Sequence, residues 1–187
     1  MGFSLSWLAV KGKSPEAVRG ELGFQPSGQR EAIPEAELSA VAMPSGWYLI
    51  VSNHSESVCS DAVLQRLSSS GGELVTCFVE EHVMVSKATG WMDGEMVWSV
   101  THDAQKDERH LDVHGTPPPE FAAIRDRLFA KRTPDCDYIF DVPVETAQSI
   151  CGYRHDEDIA GLSGDVFEVL VDATPKKAAL FKRLFGR

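Results

Sequence analysis

The strongest constraint on what this chain can fold into lies in residues 73–113, where β-branched and aromatic residues alternate with polar ones on either side of the pair Asp93-Gly94. A tight primed turn needs positive φ at both central positions, and Asp-Gly supplies them at low steric cost. Leu74 to Val79, Val83 to Thr89, Glu95 to Asp103 and Arg109 to Val113 therefore read as four consecutive strands of an antiparallel meander. Leu38 to Met43 and Trp47 to Ser52, separated by Pro44-Ser45-Gly46, read as a further hairpin. Together they predict a sheet of about six strands.

The rest of the chain supplies helices to cover that sheet. Phe3 to Val10 reads as a strand with Phe3, Leu5 and Trp7 on one face. Ser14-Pro15-Glu16 then gives a helix an N-cap, a first-turn proline and an acid, with Gly23 closing it. Residues 24–37, rich in Pro, Gly and Glu, read as loop or edge strand. Helices are expected over Ser57 to Leu67, where Cys59, Val63 and Leu67 share a stripe, and after Pro117-Pro118-Pro119, where Phe121, Ile124 and Leu128 make a stripe that should cover a sheet face. Asp141-Val142-Pro143 opens another helix ending near Gly152, and Asp165 to Val171 reads as a last strand. Thr174-Pro175 caps a basic amphipathic C-terminal helix at about 175–186, its apolar stripe formed by Leu180, Phe181, Leu184 and Phe185. The fold class is α+β, an antiparallel sheet covered by a few short helices, and 187 residues fit a single domain.

Charge restricts function more than any motif does. The chain carries a formal −10, but its last thirteen residues hold five Lys or Arg and no acid, leaving 13 basic against 28 acidic side chains elsewhere, a body of −15. Such a body repels phosphate backbones, so nucleic acid is not an expected partner and a basic protein is the better match. No apolar run approaches the roughly 20 residues of a membrane span. Met1 to Val10 lacks the cationic flank of a secretory leader, and a cytoplasmic location is expected. Cys59, Cys77, Cys136 and Cys151 form no C-x-x-C pair and read as reduced thiols, half or more of them buried.

No signature of a nucleophile elbow, a zinc protease, a phosphate loop or a dinucleotide fold is present, and no cofactor is expected. His102, His110 and His114 suggest a metal triad, but pairing Val100 with Leu111 and Trp98 with Val113 turns His102 to one face and the other two to the opposite face, so no metal site is assigned. Glu81, His82, His102 and Asp103 are the candidates for an acid–histidine site at the sheet end, because their strands are neighbours and a carboxylate beside an imidazole is a general-base pairing. The run His155-Asp156-Glu157-Asp158 lacks calcium-loop spacing and reads as a solvated loop that suits a basic partner. Two functions remain: a small acidic binding or regulatory protein of the immunity type, engaging a basic partner, or a small hydrolase or lyase using the acid–histidine group. The C-terminal stripe, Leu180, Phe181, Leu184 and Phe185, is the candidate contact surface if it leaves its own domain.

Overall fold

The Asp93-Gly94 pair turns with φ of 51° and 83°, as the primed turn requires, and joins β6 (Val85–Met92) to β7 (Glu95–Asp103). The structure is a computed structural model and describes residues 2–54, 57–131 and 136–173. The two-residue turn does not fix the whole ladder, because the register shifts between Gly90 and Trp91: Trp91 pairs with Met96 but Gly90 with Trp98. Val97 is left over as a bulge, and the indole of Trp98 then lies across Gly90, where any Cβ would overlap it.

The meander is completed by β5 (Glu73–Glu80) before β6 and β8 (Asp112–Gly115) after β7, and the hairpin by β3 (Leu38–Ala42) and β4 (Tyr48–Asn53). Among the described residues the sheet has nine strands rather than six, because three further strands join it. β1 (Ser4–Lys11) pairs with β4 on one side and β5 on the other, fusing hairpin and meander. Six of its residues, Leu5 to Val10, are buried, as expected of a strand covered on both faces. β2 (Phe24–Glu31) and β9 (Phe167–Asp172) extend the hairpin side, giving the order β2-β9-β3-β4-β1-β5-β6-β7-β8, with all pairs antiparallel. Both edges are blunted: β2 carries Pro26 and a register shift before Arg30, and β8 is four residues long with three prolines soon after it.

Helices lie on both faces. On one, α1 (Pro15–Leu22) and α2 (Asp61–Ser69) cover Leu8, Val10, Tyr48, Ile50, Leu74 and Trp91. The Ser14 hydroxyl accepts from Ala17 N at 3.2 Å and Gly23 closes α1 at φ 78°. A 3-10 turn over Ser57–Cys59 occupies the start of the span expected to be helical throughout, and α2 begins only at Asp61. On the other face α4 (Asp141–Cys151) lies on β5, β6 and β7, and α3 (Phe121–Ala130) packs against α4. The Phe121, Ile124 and Leu128 stripe is buried as expected, but it reaches the sheet core mainly by way of α4.

The β7–β8 register also corrects the sequence reading. Val100 pairs with Val113 and Trp98 with Gly115, two residues further along β8 than expected. The cause is a longer connection, in which Lys106 N and Asp107 N bond back to Asp103 O and His110 N to Asp107 O. A shift of two keeps side-chain facing, so His102 still points into the core while His114 is exposed on the opposite face. The segment 175–186, with Leu180, Phe181, Leu184 and Phe185, lies outside the described residues. Among the described residues no helix is long and apolar enough to cross a membrane.

Candidate functional site

The four residues expected to form an acid–histidine site are held by four different sets of partners. Glu81 sits in the β5–β6 connection, where its Oε2 accepts from Phe3 N at 2.8 Å and its Oε1 lies 3.7 Å from His155 Nε2. His82 is exposed and its Nδ1 bonds Glu80 at 2.7 Å. Glu80 also accepts from the Ser4 hydroxyl, and these two bonds, with the hydroxyl first, lower its pKa. Asp103 accepts from Gln105 N at 3.0 Å and lies 3.9 Å from Lys106. The structure therefore does not gather Glu81, His82, His102 and Asp103 around one point. The bulge at Val97 is part of the reason: it slides β7 along β6, so that Asp103 pairs with Val85, beyond the connection that holds Glu81 and His82.

His102 is fully buried and belongs to a structural joint. Its Nδ1 faces His110 O at 2.7 Å and its Nε2 faces Asp137 Oδ2 at 2.8 Å. A carbonyl only accepts, so Nδ1 carries a hydrogen; the carboxyl closes the second bond. The other oxygen of Asp137 accepts from Ile139 N and Phe140 N, at the lead-in to α4. Beside it the Ser86 hydroxyl donates to Phe140 O at 2.7 Å. His110 Nδ1 accepts from Asp103 N at 3.1 Å, so His110 and His102 are neighbours in space, each with its ring engaged by the backbone. Asp137 was not singled out by sequence; the only local signal is an Asp placed to accept the amides that open a helix.

The largest electrostatic group lies along one side of α4 and reaches its first residue, Asp141. Arg154, with a side chain 14% exposed, donates to Asp156 at 2.6 Å and to Asp141 at 2.8 Å, and stands 3.9 Å from both Glu145 and Glu157. Glu145 also pairs with Arg127, and Glu157 accepts from Gln148 at 2.8 Å. Burial pushes the Asp141 carboxyl up despite the guanidinium beside it, whereas at Asp156 the same guanidinium outweighs burial and holds the carboxyl down. Asp158 adds a further exposed carboxylate. Sequence singled out Asp156 and Glu157 but not Asp141, Glu145 or Arg154, because α4 and the loop after it meet only in the fold.

His155, read from sequence as part of a solvated loop, is instead turned inward with its side chain 2% exposed. Its ring meets Phe3 edge-on at 4.9 Å between centroids, and among the described residues neither ring nitrogen makes a hydrogen bond, Nε2 standing 3.7 Å from Glu81 Oε1.

Among the described residues the four cysteines form no disulfide; Cys77 and Cys151 are buried, Cys59 is partly buried and Cys136 is exposed. Burial raises the thiol of Cys151 to about 11 and that of Cys77 well above its usual range, which removes both as nucleophiles. Among the described residues no three His, Cys, Asp or Glu side chains are gathered for a metal ion. No family model, curated protein or solved structure matches this chain.

Proposed function

We propose that the chain is a non-enzymatic binding domain that engages a basic protein partner through the acidic face formed by α4 and the loop that follows it. The supporting observation is the charge around Arg154: four carboxylates share this guanidinium and that of Arg127, and Asp158 stands beside them. The surplus is negative and faces solvent, on a body whose formal charge is already −15. Complementary charge of this kind accelerates encounter and selects partners by sign. The alternative of a hydrolase or lyase has no comparable support, since Glu81, His82, His102 and Asp103 are each bonded elsewhere.

The test is a pull-down from lysate with the full chain at low and at moderate salt, alongside a triple reversal, Asp156→Lys, Glu157→Lys and Asp158→Lys. A basic protein retained by the natural chain and lost by the reversal supports the reading. Retention by both, or by neither at either salt, overturns it.

A further inference from the structure

A second feature lies at the opposite side of the sheet, where β3 and β9 part company. β3 pairs with β4 as far as Ala42, opposite Tyr48, but with β9 only at Ser39 and Ala40. In an antiparallel ladder alternate residues turn both backbone groups to the same neighbour. Met43 N bonds Trp47 O on the β4 side, so Ala42, like Ala40, turns its N–H and C=O toward β9. The β9 residue that would meet Ala42 is Val166, and it is engaged elsewhere: its N–H bonds Gly164 O at 2.8 Å and its C=O accepts from Arg30 Nη2 at 2.7 Å. Among the described residues the ladder stops there, and a cleft of about 360 Å³ opens, bounded by Pro15, Val41, Ala42, Leu162 and Val166.

Charged groups of both signs converge on this cleft. Arg19, 13% exposed, donates to the Tyr48 hydroxyl at 3.1 Å and reaches Glu16 at 3.3 Å. Arg30, half exposed, braces Asp165 O and Val166 O. Glu168 lies between the two guanidiniums, 3.5 Å from each, at the outer limit of a hydrogen bond and without the two-pronged fit that an arginine and a carboxylate prefer. A guanidinium has five N–H groups, so each arginine keeps donors to spare. Because an arginine only donates, the Tyr48 oxygen is the acceptor of the Arg19 bond. Its own proton, on a residue 3% exposed, has no acceptor among the described residues.

We propose that this cleft binds a free α-amino acid. Its carboxylate takes the spare donors of Arg19 and Arg30 and the Tyr48 proton, and its ammonium takes Glu168. The Ala42 backbone groups extend the same ladder to the ligand. Two cationic and two anionic side chains make the lining neutral overall, which disfavours a ligand of one sign and suits a zwitterion. The volume falls in the range of small-ligand sites. This site is separate from the acidic face at α4, and neither reading depends on the other.

Titration calorimetry of the full chain with each of the twenty common amino acids tests it, followed by the Nα-acetyl and α-amide derivatives of the best binder. At least one amino acid should bind at a single site. Either derivative should bind about tenfold more weakly or worse, and Glu168→Gln and Arg30→Gln should each cost a similar factor with the thermal melt preserved. If Arg30→Gln fails to fold, Glu168→Gln carries the test alone. The proposal is overturned if no amino acid binds at about 10 mM, a concentration well above typical small-ligand Kd values. It is also overturned if the acetyl form binds as tightly as the free one, or if Glu168→Gln leaves affinity unchanged.

Discussion

The segments before and after α4 are fastened to the sheet in opposite ways. At the helix's N-terminal end every polar group in the joint is matched: His102 bonds His110 O and Asp137, Asp137 also takes two backbone amides, and Ser86 takes Phe140 O. After its C-terminal end the chain meets β1 and its lead-in through aromatic edges, Tyr153 against Trp7 at 5.4 Å and His155 against Phe3 at 4.9 Å, while Arg154 between them bonds back to Asp141 of α4. Among the described residues the indole nitrogen of Trp7 and both nitrogens of His155 are buried there without a hydrogen bond, although Glu81 Oε1 stands 3.7 Å from His155 Nε2. Bonds fix direction and distance, while aromatic contact mainly excludes water. The first joint therefore sets where α4 sits, and the second carries an electrostatic cost that substitution can relieve.

The largest effect should come from cutting the matched joint. Replacing His102 by Ala leaves Asp137 and His110 O, both partly shielded from water, without their shared partner, a loss of about 3 kcal/mol. Urea unfolding at neutral pH measures it, and a loss below about 1 kcal/mol would mean that the joint is redundant. A smaller cut tests the same end: Ser86→Ala removes the donor to Phe140 O and should cost about 1.5 kcal/mol. Because Ser86 and His102 brace the same short segment, the double variant should fall short of the sum of the two, and additivity would show that they act separately.

Which of these joints was legible in sequence follows from how local each signal is. The caps at Ser14-Pro15 and Gly23 and the Asp93-Gly94 turn are chemistry among near neighbours, and the structure has them where expected. The Phe121, Ile124 and Leu128 stripe needs only helical periodicity to be seen. The position of β1 in the middle of nine strands depends instead on pairing with residues 38 to 76 positions away, and local pattern does not encode that choice. The bulge at Val97 breaks alternation by one residue, and its companion signal, a glycine at position 90 beneath Trp98, has meaning only once the strands are paired. His102 facing the core could be read from strand parity, but its partner Asp137 could not, because it arrives from another element. The cleft beside Ala42 was invisible for the same reason: Arg19, Arg30, Tyr48 and Glu168 come from α1, β2, β4 and β9.

The smallest predicted effect, and the one that most sharpens the contrast between the two attachments, is a gain. Burial lowers the pKa of His155 below its ordinary 6.5, with Arg154 adding to the shift and Asp156 and Glu81 opposing it. The unfolded chain therefore takes up a proton on this residue before the folded one does. The stability that rests on a neutral His155 is complete above about pH 6.5 and is lost as pH falls through the lower, folded-state value. His155→Leu removes both unpartnered nitrogens while keeping an apolar body against Phe3. It should raise stability by about 1 kcal/mol at pH 7.5, since a buried polar group without a bond costs on that order. It should gain more at pH 5.5 than at pH 7.5. Paired urea titrations at the two pH values decide the matter: a variant that loses stability at both, or whose pH slope equals that of the natural chain, would show that the imidazole is bonded in solution and that the two attachments are alike.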